Sequence, residues 1–326
     1  MKSIELRIMG GLGNQLYQYA AARFIQKRYS CPEIVINSVE YDTYKIRNLE
    51  INSLLNNDKV RFEKNKNIKD GFIRTIYRIY QRLYHDIRKK HAGEIVLRIG
   101  STVYLLSTTE FFEPKRLLCK RLYMYGYFVS SNTAMAIKKE LMSEIRLQSI
   151  VHEGFLKYKN IFMNEETIGV SVRCARDYVD NGWPVCSSEY YIKGVKEIFK
   201  QKQNTKPIIA VFADDLKKVM KEDWFHVFDN VIYIEGLNVC ESFELLRYCQ
   251  DYVCSNSSFS WWGAFLSYSS KPLIVNPNRV FAGNSKIDDM ATFYQGMVFL
   301  DYLTGEPVEL INGIESQSLV CEKEAK

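Results

Sequence analysis

The feature that most constrains this chain is the alternation of short apolar runs with helix-patterned segments, which is clearest beyond residue 166. The runs have the length and β-branched content of buried strands, and they fall at residues 167–172, 207–213, 231–234, 252–254 and 273–275. The amino terminus opens in the same way, with a strand at 4–9, a glycine-rich turn at 10–15 and a helix at 16–29. Strands joined through helices run parallel, because the crossover carries the chain back to the starting edge of the sheet. We therefore predict an α/β fold in which helices cover both faces of parallel sheets.

The length of the chain sets the number of domains. At about 100–200 residues per domain, 326 residues favour two. We place the boundary near 150–165, so that residues 1–155 form the first domain and 156–326 the second, with a polar tail at 311–326. Hydrophobic residues make up 47% and charged residues 25%, which excludes a disordered chain, a collagen and a coiled coil. Within the first domain we predict a surface loop at 56–70 and a helix at 134–145.

The net charge of +6 is mild for a chain of this length. It argues against a nucleic-acid-binding protein and suits an anionic ligand or an anionic membrane surface. A predicted helix at 72–91 has the densest run of positive charge, which comprises Arg74, Arg78, Arg82, Arg88, Lys89 and Lys90. These side chains either face anionic lipid, or they form a solvated face over a stripe of core residues.

Cysteine and histidine spacing gives no sign of a metal site. The eight cysteines contain no C-x-x-C pair and the four histidines are scattered. No run of 18 apolar residues occurs, so we expect no transmembrane helix. The first residues lead directly into a predicted strand without a secretory signal, which favours a reducing, cytoplasmic setting. We expect no metal and no other resident cofactor.

Polar and glycine residues gather just past the carboxyl ends of predicted strands, where α/β proteins bind ligands. The turn at 10–15 lets the backbone approach a ligand at the start of a helix, although a tight turn without a ligand explains the same glycines. Arg173 and Arg176 follow the strand at 167–172, and two guanidinium groups suit a diphosphate. Asp177 would hold one of these arginines or act as a base. The alternative is an ordinary surface ion pair.

Two further groups follow later strands. Asp214 and Asp215 come after the strand at 207–213, where a carboxylate accepts hydrogen bonds from a ribose or a guanine, or caps a helix. The segment 255–260 carries four serines and Asn256 at a helix start, which is more than one helix cap needs and suits an anion. Together these groups predict a nucleotide ligand with phosphates, and a nucleotide-sugar transferase fits.

Segments in this order along the chain carry recognisable motifs: GLGNQLYQYA at 11–20, GYFVS at 126–130, VSVRCARDY at 170–178, PVCSSEYY at 184–191, VFADD at 211–215 and SNSSFSWWG at 255–263. They resemble the motifs of glycosyltransferase family 11, the α-1,2-fucosyltransferases. The resemblance implies a GT-B-like fold, in which two Rossmann-like domains face each other across a cleft. It also implies GDP-fucose as the donor on the second domain, a glycan acceptor mainly on the first, and transfer without a divalent metal.

The resemblance also implies roles for single residues. Arg173 corresponds to the arginine that binds the β-phosphate of the donor, and Asp214 or Asp215 to a carboxylate near the nucleoside. The phosphate-facing loop corresponds to Asn256, Ser257, Ser258 and Phe259. Asn14 corresponds to an asparagine at the cleft, which makes it a candidate catalytic residue, and Gly13 beside it belongs to the donor site.

The chain departs from the family motif in one segment. Ser171 stands in place of the family histidine, and the stretch down to Asp177 is one residue longer, with Cys174, Ala175 and Arg176 in place of Arg-Gly. Arg176 either recovers the role of the second arginine through a bulge or points elsewhere.

We therefore predict an inverting α-1,2-fucosyltransferase that moves L-fucose from GDP-β-L-fucose to a terminal galactose of a bacterial surface glycan, such as an O-antigen. Arg173 and the helix start after Ser257 stabilise the departing GDP. Asp177 is the candidate base, unless the donor phosphate takes the proton. We expect a cytoplasmic protein with peripheral contact at the inner membrane. The alternatives are a transferase with another nucleotide sugar or acceptor, and a non-catalytic nucleotide- or glycan-binding protein.

Overall fold

A computed structural model describes residues 1–43, 46–65, 71–72, 75–79, 82, 94–107, 117–180, 182–203, 206–280 and 291–308. The chain divides into two compact units, Met1–Gln148 and Ser149–Lys326. The sequence placed this change a few residues later, at 155. In the described ranges, no helix is both long and apolar enough to cross a membrane.

The first unit is built on a six-stranded sheet with the order β3-β2-β1-β6-β5-β4. Its strands are β1 (Ser3–Arg7), β2 (Ile34–Asn37), β3 (Val60–Glu63), β4 (Glu94–Ile99), β5 (Thr102–Ser107) and β6 (Arg121–Gly126). Neighbouring strands are parallel except for β4, which is antiparallel to β5. The helices of this unit with both ends described are α1 (Leu12–Arg28), α2 (Ser131–Ala136) and α3 (Lys138–Glu144), with 3-10 turns at Val39–Asp42 and Ile51–Ser53.

Several predictions for this unit need correction. Helix α1 begins at Leu12 rather than at 16, so most of the predicted glycine-rich turn is its first turn. The segment 56–70 was predicted as a loop, but it contains β3, which adds a parallel edge strand beside β2. The predicted helix at 134–145 is a pair of short helices that meet at Ile137, and the first starts earlier because Ser130 caps it.

The predicted basic helix at 72–91 lies largely outside the described residues. The parts that are described, 72, 75–79 and 82, are helical, and Arg78 and Arg82 are exposed. Tyr77 is buried there and packs edge-on against Tyr125 of β6. The polar tail at 311–326 also lies outside the described residues.

The second unit is a fully parallel sheet with the order β12-β11-β10-β7-β8-β9. Its strands are β7 (Thr167–Val172), β8 (Ile208–Ala213), β9 (Val231–Tyr233), β10 (Asp251–Val253), β11 (Ile274–Pro277) and β12 (Met297–Leu300). The helices are α4 (Glu153–Asn164), α5 (Arg176–Asp180), α6 (Ser188–Lys202), α7 (Leu216–Lys221), α8 (Val239–Leu246) and α9 (Ser258–Phe265). Taken from its first strand, the order is 3-2-1-4-5-6, which is that of a Rossmann fold.

Helices pack on both faces of this second sheet. On one face α6 lies so close that a Cβ on Gly194 would meet Val253 Cγ1 at 2.6 Å. On the other face Leu246 of α8 lies against Gly169 of β7. Buried Ile, Val and aromatic side chains fill the space under α6. The two α/β units, each around a mostly parallel sheet, confirm the predicted fold class, while their facing arrangement across a cleft stays a prediction.

Candidate functional site

The strand order of the second unit reverses between β7 and β10. The chain leaves these two neighbouring strands in opposite directions along the sheet, because β8 follows β7 on one side and β11 follows β10 on the other. Such a reversal opens a crevice at the carboxyl ends of the strands, where α/β proteins bind ligands. The structure therefore brings the segments after β7, β8 and β10 to one edge of the sheet.

Arg173 is the first residue after β7, and its side chain is 16% exposed. Its guanidinium group forms an ion pair with Asp214 and lies 4.8 Å from the centre of the Tyr178 ring. Asp214 follows β8 directly, and its Oδ1 also accepts hydrogen bonds from the backbone N–H groups of Cys174 at 2.8 Å and Ala175 at 3.1 Å. Asp214 thus fixes both the backbone and the side chain of the Arg173 loop.

Asp215 and Ser257 cap helices. The Asp215 carboxylate accepts a hydrogen bond from the Lys218 N–H at 3.1 Å and caps α7. The Ser257 hydroxyl accepts one from the Phe259 N–H at 3.3 Å and caps α9. Ser258 is the first residue of α9 and is partly buried. One cap at each helix start matches the helix-capping alternative considered from the sequence.

Asn256 joins the loop after β10 to the segment that follows Arg173. It is buried, with 5% exposure, and its side-chain amide donates a hydrogen bond to the Pro184 carbonyl. Its own backbone carbonyl accepts a hydrogen bond from the Tyr178 hydroxyl at 3.1 Å. Its Oδ1 has no hydrogen-bond partner within the described part of the chain. Asn256 therefore holds two motif segments together across the strand-order reversal.

Arg176 lies apart from this cluster. Its side chain is 92% exposed, and its Nε lies 3.6 Å from Asp180 Oδ2 on the same helix. The longer segment turns inward at Cys174 instead, because that side chain is buried. Burial and the nearby Asp214 carboxylate raise the pKa of the Cys174 thiol to about 11. The backbone of Asp177 lies in α5, and its side chain is outside what the structure describes. Among the side chains that the structure describes, Asp214 pairs with Arg173 and Asp180 pairs with Arg176.

Two tyrosines on α6 support the same loops, and sequence reasoning gave them no role. The Tyr191 hydroxyl accepts a hydrogen bond from the Arg173 N–H at 3.4 Å, and the Tyr190 hydroxyl donates one to the Cys254 carbonyl at 2.7 Å. Burial raises the pKa of both hydroxyls well above the usual range, so both stay neutral. Their signal in the sequence was the adjacent Tyr-Tyr at the end of the 184–191 motif, which forms the first turn of α6.

Gly13 and Asn14 belong to the first unit and are described separately. Both lie in the first turn of α1, where Gly13 is buried and Asn14 partly buried. The preceding Gly10 has a φ of +80°, a conformation that favours glycine, and a Cβ there would meet the Asn14 Nδ2 at 2.9 Å. This glycine therefore allows a tight approach between the loop and α1.

The glutamines of this motif bind the backbone of their own unit. Gln18 forms a pair of hydrogen bonds with the N–H and carbonyl of Met9. Gln15 donates to the carbonyls of Gly10 and Asn48 and accepts from the N–H groups of Glu50 and Ile51. Sequence reasoning missed this structural role, and the residue types alone do not signal it.

Acidic, histidine and cysteine side chains do not gather in threes to form a metal site anywhere in the described ranges. At the edge of the second sheet, Arg173 and the start of α9 supply positive charge. A guanidinium beside a helix amino terminus stabilises phosphate oxygens. The arrangement is therefore that of an α/β protein with a sheet edge whose groups suit a phosphate ligand.

Comparison with known proteins defines the family. A model of glycosyl transferase family 11 matches residues 3–296, and the chain belongs to this family. It is 26% identical over 294 residues to the O-antigen biosynthesis glycosyltransferase WbnK of Escherichia coli, over 86% of this chain and 95% of that protein. It is 24% identical over 293 residues to an alpha-1,2-colitosyltransferase of Escherichia coli, over 86% of this chain and 93% of that protein.

Among solved structures, the chain is similar to fucosyltransferase NodZ from Bradyrhizobium, with a TM-score of 0.48 and 12% sequence identity over 82% of this chain and 93% of that one. The family assignment confirms the resemblance drawn from the motifs and makes the protein a glycosyltransferase.

Proposed function

We propose that this glycosyltransferase is an inverting α-1,2-fucosyltransferase, which transfers L-fucose from GDP-β-L-fucose to a terminal galactose hydroxyl of a glycan. The observation that carries the proposal is the Arg173–Asp214 ion pair at the strand-order reversal, beside the start of α9. Family 11 membership supports the sugar-transfer chemistry, and the name of the colitosyltransferase relative supports a 1,2 linkage and a deoxysugar donor. The name of the other relative supports an O-antigen as the acceptor.

The departing group is GDP, whose negative charge grows on the β-phosphate as the bond to the sugar breaks. Arg173 is positioned to pair with that charge, because Asp214 and the Tyr191 hydroxyl hold the loop from which it extends. A ligand phosphate would compete with Asp214 for the guanidinium group. Asp214 would keep its two hydrogen bonds to backbone N–H groups, so the loop would stay in place.

Deprotonation of the acceptor hydroxyl needs a base, and Asp177 remains our candidate for it. We propose that no divalent metal takes part, since Arg173 and the α9 start supply positive charge. Full activity in excess EDTA is the expected result, and a loss restored by Mn²⁺ or Mg²⁺ would contradict it.

Peripheral contact with an anionic membrane at the cytoplasmic side of the inner membrane stays part of the proposal, because a lipid-linked glycan is a plausible acceptor.

The test is a transfer assay with purified protein, GDP-fucose and galactose-terminated oligosaccharides, with the product linkage read by NMR. GDP-colitose and UDP-galactose serve as alternative donors, and the first is a specific second candidate because of the relative's name. GDP should also stabilise the fold by about 2.7 kcal/mol at about 100 times its Kd. A thermal shift with UDP and none with GDP would overturn the donor assignment. GDP binding without transfer from any donor would indicate a non-catalytic binding protein.

A further inference from the structure

Trp183 is an exposed aromatic residue beside the sheet edge whose groups suit a phosphate ligand. It is 36% exposed, whereas Trp261 and Trp262 are buried in the core. Its indole stacks on the Tyr178 ring with 5.7 Å between ring centres and 13° between ring planes. An exposed indole in a fixed orientation presents a flat apolar surface on which a ligand ring can stack.

Residues of the candidate site hold the Tyr178–Trp183 stack in place. The Tyr178 hydroxyl donates a hydrogen bond to the Asn256 carbonyl, and the Pro184 carbonyl next to Trp183 accepts one from the Asn256 amide. The Arg173 guanidinium lies 4.8 Å from the Tyr178 ring centre. The residue proposed to bind the β-phosphate and the exposed indole therefore both contact the same tyrosine ring.

We propose that the Tyr178–Trp183 stack is the platform for the sugar ring of the donor, which is an inference that rests on the proposed function. In a nucleotide sugar the sugar is bonded directly to the β-phosphate, whereas the base lies beyond the α-phosphate and the ribose. With the β-phosphate on Arg173, the sugar is the part of the donor that lies near Trp183.

The chemistry of a 6-deoxy sugar suits this surface. The π face of an indole carries negative potential and attracts the polarised C–H groups of a pyranose ring. A methyl group at C6 loses nothing on contact with an indole, while a hydroxyl there would lose hydrogen bonds to water without a replacement. The stack should therefore favour a 6-deoxyhexose over the same sugar with a C6 hydroxyl.

The experiment compares Trp183→Ala and Trp183→Phe with the wild-type protein. Calorimetry gives the Kd of GDP and of GDP-fucose, and initial rates give the KM of GDP-fucose and of the acceptor. Val179→Ala is the matched control, since Val179 is 50% exposed and adjacent to Tyr178 but has no aromatic face. We expect Trp183→Ala to weaken GDP-fucose binding about 10-fold, to leave the Kd of GDP within about twofold, and Trp183→Phe to fall between.

Any other outcome would overturn the proposal that the stack binds the donor sugar. Equal weakening of GDP and GDP-fucose would place the indole on the base, and a change confined to the acceptor KM would place it in the acceptor site. No change in any constant would show that the stack only packs. Retained GDP binding in the variants shows that they fold. If wild-type protein binds GDP and transfers from GDP-fucose, only the platform has failed; if it does neither, the proposed function has failed with it.

Discussion

The two strand-to-helix junctions that carry family motifs, residues 8–18 after β1 and 254–258 after β10, use their polar residues in different ways. At the first, the side-chain amides of Gln15 and Gln18 form hydrogen bonds with backbone atoms of the same unit. At the second, Ser257 makes the helix cap and Asn256 reaches to the segment after Arg173. From sequence, both junctions are interpreted as ligand loops, and an arginine lies beside each: the exposed Arg47 side chain lies against Gly11 at the first, and Arg173 lies near the second.

Two charged pairs, one from each unit, differ in how exposed their side chains are. Arg7 and Glu40 form an ion pair at 2.6 Å whose side chains are 5% and 9% exposed. Arg173 and Asp214 are 16% and 20% exposed. Exchanging a carboxylate for a ligand oxygen requires access, because an abandoned buried charge is costly. The more open pair is therefore the one suited to bind a substrate, and the buried pair is suited to hold the fold.

The largest effect should come from the junction after β1. Gln15→Leu leaves two backbone carbonyls and two N–H groups without their partner, so we expect a loss of about 4 kcal/mol or more in the free energy of unfolding. Denaturant unfolding measures it. Gln26→Leu is the matched control on the same helix, because that buried amide has no hydrogen-bond partner among the described residues and its removal should be neutral or stabilising. Similar losses in both variants would contradict a structural role specific to Gln15.

The second unit also contains a carboxylate, Glu241, whose role we expect to be structural only. Burial alone would raise its pKa, but hydrogen bonds from His152 and from the N–H groups of Val151 and Asn238 outweigh burial and lower the pKa to about 2. Because the pKa is lower in the folded state, this stabilisation is present above about pH 4.5 and is lost as the pH falls towards 2.

The variant Glu241→Gln should lose about 3 kcal/mol of unfolding free energy at neutral pH. The difference from wild type should shrink steadily between about pH 4.5 and pH 2. Unfolding curves across this range measure both. A difference that does not depend on pH would show that the charge of Glu241 contributes nothing.

The next prediction compares Arg173, which an ion pair holds in place, with Arg176, which is exposed. Arg173→Lys keeps the charge but loses the paired hydrogen bonds of the guanidinium, so kcat/KM for GDP-fucose should fall by about 10². Arg176→Lys should stay within about threefold, because its side chain is 92% exposed and pairs within its own helix. The rates are measured after circular dichroism shows folded variants. A near-normal Arg173→Lys with an inactive Arg176→Lys would give the phosphate role to Arg176.

The smallest effect should come from the helix cap. Asp215→Ala should cost about 1 kcal/mol in stability with transfer nearly unchanged, since its carboxylate caps α7. Asp214→Ala should instead lower transfer at least tenfold, because the Arg173 loop loses its anchor. Thermal melts and rates on the same preparations separate the two. Loss of GDP binding in Asp215→Ala would return Asp215 to the nucleoside site that the motif resemblance implied.

Local pattern explains why much of the second unit could be predicted. Buried parallel strands are short apolar runs, and the strands that follow Glu166, Pro207 and Gln250 stand out between helix-patterned segments. The first unit was harder, because β3 on the sheet edge alternates apolar with charged residues and exposes Arg61 and Phe62, so it leaves no apolar run. Glycines after a strand suggested a loop, yet α1 starts among them because glycine does not forbid a helical first turn.

The sequence by itself determined the α/β class, the family and the places where strands end, because periodicity and motif order are properties of short stretches of chain. Only the tertiary structure decided which charges meet. Val172 and Ala213 are register partners in the adjacent parallel strands β7 and β8, so the residues that follow them, Arg173 and Asp214, are brought side by side. Arg176 is three residues further on and faces solvent. Pairing between distant residues depends on which strands are neighbours and in what register, and no local pattern records that.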